Sequence, residues 1–167
     1  MVAPQATVPQ AAAPQAAVAP FGVLLVDDQL AVREGLAKLI ACAPLQLCCL
    51  GTAANSAQAM HAVRSLRPDV VVLDVDLGGE DGLAMLPLLL PLARVLVLTC
   101  HGDPATRERA LRLGAQAFIE KHRPAAELLD AMVRLGRMRG EECPAGQGSS
   151  SSRDMEPSSA ARPLRRS

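Results

Sequence analysis

Five residues of this 167-residue chain have types and positions that could do chemistry together: Asp27, Asp28, Asp74, Thr99 and Lys121. Asp27-Asp28 closes the apolar run Val23–Val26, Asp74 closes Val70–Leu73, and Thr99 closes Val95–Leu98. Lys121 follows the short run Ala117–Ile119. Three carboxylates crowded at one edge repel one another and favour a hard divalent cation. Mg²⁺ suits them, because it binds through one or two carboxylates and keeps waters that an incoming phosphate can displace. A carboxylate beside such a cation can attack phosphorus and form an acyl phosphate. A hydroxyl and an ammonium nearby can then hold the phosphoryl oxygens, since positioning and charge stabilisation dominate phosphoryl transfer. Asp74 is the nucleophile candidate, as its strand is the most continuously apolar and hence central. Asp27 and Asp28 are better placed as metal ligands.

The elements that must bring these residues together alternate. After Val23–Val26, Leu30–Cys42 carries Val32, Leu36, Leu39 and Ile40 at helical spacing. Leu47–Leu50 is a second strand candidate. Asn55 can cap a helix presenting Met60, Val63 and Leu66. Gly82–Leu90, with Pro87 inside it, predicts a short or kinked helix. Asp103-Pro104 is a cap and first-turn pair for a helix that Gly114 stops. Arg123–Arg139 predicts a last helix with Leu128, Leu129, Met132 and Val133 facing inward. Five apolar strands, each followed by a helix, imply an α/β, doubly wound fold with a parallel sheet covered on both faces. Ligands of such sheets bind at the carboxyl ends of the strands, where all five polar residues stand.

Composition narrows the function classes. Lys+Arg and Asp+Glu both number 17, so no net basic field draws the chain to nucleic acid or membrane. With no Trp or Tyr and two Phe, a base-stacking surface is excluded. Five cysteines without a C-x-x-C pair read as cytosolic thiols rather than a disulfide framework. Cys48, Cys49 and Cys100 are expected to be small buried or half-buried residues, with Cys100 also at the rim of the site.

Leu24-Leu25-Val26-Asp27-Asp28, Pro68-Asp69-Val70-Val71-Val72-Leu73-Asp74, Asp81-Gly82, Val97-Leu98-Thr99 and Gly114-Ala115 through to Lys121 together resemble the receiver domain of bacterial two-component response regulators. The resemblance spans Phe21–Arg139 and implies a five-stranded, flavodoxin-like sheet of order 2-1-3-4-5. It implies Asp74 as phosphoacceptor, and Asp27, Asp28, Asp74 and the backbone carbonyl of Asp76 around Mg²⁺. Thr99 and Lys121 would be the phosphate-binding switch pair, and Phe118 the aromatic that reorients on activation. The partner so implied is a sensor histidine kinase or phosphotransfer protein, in the cytoplasm, and the chain would be a phosphorylated switch rather than a turnover enzyme.

Asp74-x-Asp76 also resembles the opening of haloacid-dehalogenase-type phosphatases, but that reading leaves Asp27-Asp28 unexplained. Asp74–Gly82 mimics a calcium loop yet has Met85 where the closing Glu should stand. Gly78 departs from the receiver pattern, which usually has Pro there, and Gln29 follows the acid pair. The interval from Asp74 to Thr99 is short.

Three zones follow from composition. Residues 1–20 form a Pro/Ala/Gln-rich lead-in expected to be disordered, residues 21–139 the receiver, and residues 140–167 a tail also expected to be disordered. Val32-Arg33-Glu34-Gly35-Leu36 is closest to receivers that usually precede a LuxR-type helix-turn-helix. No such pattern follows Arg139, so this chain is expected not to read DNA sequence. The alternative to a stand-alone receiver is a truncated LuxR-type transcriptional regulator lacking its DNA-binding domain.

Overall fold

The computed structural model describes residues 19–43 and 46–141, so most of the lead-in and most of the tail lie outside the described residues. Five strands alternate with five helices: β1 Phe21–Val26, α1 Leu30–Cys42, β2 Leu47–Ala53, α2 Ser56–Leu66, β3 Val70–Leu73, α3 Leu86–Leu89, β4 Arg94–Thr99, α4 Pro104–Arg112, β5 Ala117–Glu120 and α5 Ala125–Glu141. All neighbouring strands pair in parallel, in the order β2-β1-β3-β4-β5. The expected fold and strand order are therefore observed.

The strand pleat sorts alternate residues to opposite faces. Val23, Leu25, Val70, Val72, Leu96 and Leu98 meet α1 and α5 through Ile40, Leu128 and Met132. Leu24, Val26, Val71, Leu73, Val95 and Val97 meet the α2–α4 side through Ala59, Val63, Leu86 and Ala110. Burial of each such aliphatic side chain stabilises by roughly 1.5–3 kcal/mol, and β1, β3 and β4 are buried along nearly their whole length.

Helix starts are set locally as the sequence indicates. Asn55 accepts a hydrogen bond from the Gln58 N–H, and Asp103 from the Thr106 N–H with Pro104 in the first turn. The segment after β3 is shorter than a full helix: a 3-10 turn over Gly82–Met85 runs into the single turn of α3. Pro87, lacking an N–H, is tolerated there because it falls in α3's first turn. Some inward-facing expectations shift. Leu66 lies 41% exposed while Ala59 takes the core position on α2, and α5 begins at Ala125 and buries Ala131 and Leu135 beside Leu128 and Met132.

Candidate functional site

Among the described residues, the buried polar or charged side chains are Asp27, Asp74 and Thr99, at or just beyond the carboxyl ends of β1, β3 and β4. These are the three central strands, where apolar neighbours on both faces exclude water from anything that terminates them. Lys121, directly after β5, reaches across the opening. Its ammonium lies 2.6 Å from Asp27 Oδ2 and 2.5 Å from Asp74 Oδ2. The Thr99 carbonyl accepts the Lys121 N–H at 2.8 Å, fixing where that side chain departs.

Asp27, Asp28 and Asp74 each offer an oxygen, and the three lie within 4.8 Å of one another. Adjacent residues of a strand point to opposite faces, so Asp27 and Asp28 converge only because the chain turns after Val26. That turn is held by Asp27 Oδ1, which accepts the Gln29 N–H at 2.9 Å. The hard-oxygen donor set fits a divalent cation such as Mg²⁺, with Lys121 already neutralising part of the charge. Asp28, Asp74, Asp76, Cys100, His101 and Lys121, with Gln29, line one cleft of about 60 Å³.

Burial raises the Asp74 carboxyl above its ordinary 3.8; the Lys121 hydrogen bond and charge pull it back down, and the neighbouring Asp27 charge adds to the rise. For Lys121, burial works to lower the ammonium, but its hydrogen bonds and charge interactions with Asp27 and Asp74 together outweigh this and hold it above 10.5. At neutral pH the lysine is a fixed positive charge.

The loop after Asp74 folds back over it. Gly82 donates its N–H to the Val75 carbonyl at 2.7 Å, and a Cβ at Gly82 would overlap the Asp74 carbonyl oxygen. The Asp81-Gly82 pair in the sequence thus has a steric reason. Gly78 and Gly79 take φ of +71° and +96°, a left-handed course closed to proline, which accounts for the absence of Pro at position 78. Asp76 Oδ1 accepts the Gly79 N–H at 2.9 Å, so its side chain serves the loop.

Thr99 is fully buried, and its hydroxyl accepts the His101 N–H at 3.1 Å. Phe118 is buried on the α4 side with the Arg107 guanidinium 5.4 Å from its ring centroid. Cys48 and Cys100 are exposed, against expectation, and Cys49 is half-buried. Cys48 points outward from the edge strand β2, and Cys100 lies beyond the last residue of β4, where none of the described elements covers it.

The pattern of the response regulator receiver domain matches residues 23–133. The chain belongs to this family. The receiver is 33% identical over 124 residues to the methanol utilization control regulatory protein MoxX of Paracoccus denitrificans, covering 71% of this chain and 54% of that one. A LuxR-family two-component response regulator from Aurantimonas superposes with a TM-score of 0.66 at 31% identity, covering 72% of this chain and 88% of that one. A response regulator from Burkholderia pseudomallei, solved with a phosphorylated aspartic acid, a calcium ion and citrate, has a TM-score of 0.60 at 25% identity and covers 73% of this chain and 72% of that one. This receiver spans about half the length of the curated relatives it matches.

The sequence singled out every member of the cleft that carries charge. It missed Arg33, whose guanidinium touches the Asp27-Asp28 turn, and the Arg107 contact on Phe118. Neither has a spacing that announces it, because each acts across a helix–strand junction that only folding creates.

Proposed function

We propose that the chain is a cytoplasmic phosphoacceptor switch: Asp74 takes a phosphoryl group from a sensor histidine kinase or phosphotransfer protein, with Mg²⁺ at Asp27, Asp28, Asp74 and the Asp76 carbonyl. The observation that carries this reading is the Lys121 ammonium bridging Asp27 and Asp74 beside a third carboxylate, in a cleft at the ends of buried strands. The phosphorylated aspartic acid and divalent cation in the Burkholderia response regulator support it.

Mg²⁺, when bound, supplies charge neutralisation at the phosphoryl oxygens. Asp74 presents one carboxylate oxygen to the incoming phosphorus while Lys121 fixes the other. The Asp74 oxygen–phosphorus bond forms as the donor's bond to the same phosphorus breaks, the donor group leaving with that electron pair, and one negative charge at Asp74 is replaced by roughly −1.5 to −2. Lys121 follows that charge, and the Thr99 hydroxyl turns from the His101 N–H toward it. The space Thr99 gives up admits Phe118, and the surface of α4, β5 and α5 changes with it, as a shift between two populated states. A groove of about 420 Å³ between α1 and α5, floored by Leu98, Ile119 and Leu128 and ending at Lys121, offers a phosphodonor protein an apolar seat next to the site.

Output is a separate matter. Because the receiver is about half of relatives named as regulators, its regulatory effect is exerted through a partner protein or through a region of a longer regulator. The part matched to the family, residues 23–133, acts in this reading as a phosphorylated switch and not as a turnover enzyme.

The test is incubation with acetyl phosphate, with and without Mg²⁺, read by intact mass. A gain of one phosphoryl group that needs both Mg²⁺ and Asp74 is expected. A folded protein that gains none would make the chain a receiver that signals by binding alone.

A further inference from the structure

Arg33 stands one turn into α1 and has no part in the roles assigned so far. Its Nη1 donates to the Asp27 carbonyl at 2.6 Å and to the Asp28 carbonyl at 2.9 Å. Its Nε is buried with no hydrogen-bond partner among the described residues. Burying an unpaired donor costs stability, so this placement is a poor way to stabilise a helix start. It is a good way to fix two consecutive peptide carbonyls. Without a turn, neighbouring residues of an extended chain send their side chains to opposite faces. Here the Asp27 N–H is held by the Ala53 carbonyl at 3.1 Å, Asp27 Oδ1 holds the Gln29 N–H, and Arg33 ties both carbonyls from α1. With both carbonyls bound to Arg33, the two carboxylates are left to reach the same cluster as Asp74.

We propose that Arg33 is the positioning residue of the divalent-cation site, holding the Asp27-Asp28 turn so that both carboxylates face one ion. The proposal rests on the reading that this cluster takes Mg²⁺. Partners that orient metal ligands from behind typically change affinity by about 10–100-fold when removed. Charge acts in the opposite sense: a guanidinium behind three carboxylates weakens the pull on a cation, so its loss alone would tighten binding. The two effects separate cleanly by substitution.

Mg²⁺ is titrated calorimetrically into the full chain and into Arg33→Met and Arg33→Lys, with circular dichroism confirming the fold. Arg33→Met is expected to raise the Mg²⁺ Kd by about tenfold, with Arg33→Lys, which keeps the charge and some reach, in between. The Mg²⁺ concentration giving half-maximal phosphorylation from acetyl phosphate rises by the same factor, while the rate at saturating Mg²⁺ stays within about twofold. An unchanged Kd in Arg33→Met overturns the proposal. So does a lowered Kd in Arg33→Met with a wild-type Kd in Arg33→Lys, which is the signature of charge alone. If Arg33→Met does not fold and Arg33→Lys binds as wild type does, Arg33 is a structural residue and the proposal falls. A wild-type chain that binds no Mg²⁺ overturns the metal reading itself, a result distinct from all of these.

Discussion

The two ends of the sheet treat polar groups differently. At the amino end, polar side chains serve the backbone. Asp69 Oδ2 accepts the Gly22 N–H at 2.8 Å, and Gln116 Oε1 accepts the Val95 N–H at 2.7 Å. Backbone bonds between Asp69 and Gly22 and between Arg94 and Asp69 close the same edge. At the carboxyl end, Asp27, Asp74 and Lys121 are paired with one another across an opening. Satisfying a strand end with the backbone yields stability. Leaving buried carboxylates to share one ammonium concentrates charge instead, and the proposed phosphoacceptor role rests on that cluster.

Substitutions at the two ends should separate these roles. The largest effect is expected from Asp74→Asn, which should abolish phosphorylation by acetyl phosphate and leave the melting temperature equal to or above that of the wild type. The sign follows from the raised Asp74 carboxyl: its folded value lies above the unfolded one, so the fold is favoured below pH 3.8 and loses that advantage as pH rises through the raised value. The neutral amide removes the cost of keeping a buried charge. A mutant that is phosphorylated normally would remove Asp74 from its role.

Next in size is Lys121→Met, which leaves Asp27 and Asp74 facing each other. Removing one partner of a buried ion pair costs about 3–5 kcal/mol, measured by urea unfolding in the absence of divalent cations, and Mg²⁺ should restore part of it. Lys121 is held above 10.5 in the folded chain, so its contribution is complete below pH 10.5 and is lost as pH rises through the folded value. The alkaline fall in stability expected of the wild type should therefore be smaller in the mutant. If Mg²⁺ restores nothing, the carboxylates do not share a cation.

At the other end, Asp69→Ala should lower unfolding free energy by about 1–3 kcal/mol by orphaning the Gly22 N–H, while phosphorylation per folded molecule stays as in the wild type. A phosphorylation defect in folded Asp69→Ala would erase the distinction between the two ends. Smallest of all is Asp103→Ala at the exposed cap of α4, with a slight drop in melting temperature. Hydrogen bonds to Thr106 hold this carboxyl below 3.8, so the cap acts above pH 3.8 and fades as pH falls through the folded value. Scanning calorimetry across acid pH should show wild type and mutant converging.

Much of this was legible from spacing. Apolar runs ending in Asp27-Asp28, Asp74 and Thr99 mark strands buried on both faces, and a parallel sheet forces their ends onto one rim. The caps at Asn55 and Asp103 were equally plain, because capping is a local interaction. The exposure of Leu66, Cys48 and Cys100 was not, since it depends on what packs alongside.

The sequence by itself determined which chemistry is available: three carboxylates, a hydroxyl and an ammonium, each at a fixed distance along the chain from its strand. Tertiary structure alone decided which of them touch. Lys121 meets Asp74 across 47 residues of intervening chain. Gly82 lets the loop close over the Asp74 carbonyl, and Arg33 ties two carbonyls that no periodicity links to it. Local signals reach a few residues along the backbone, whereas these contacts exist only once both faces of the sheet have been covered and its carboxyl ends brought level.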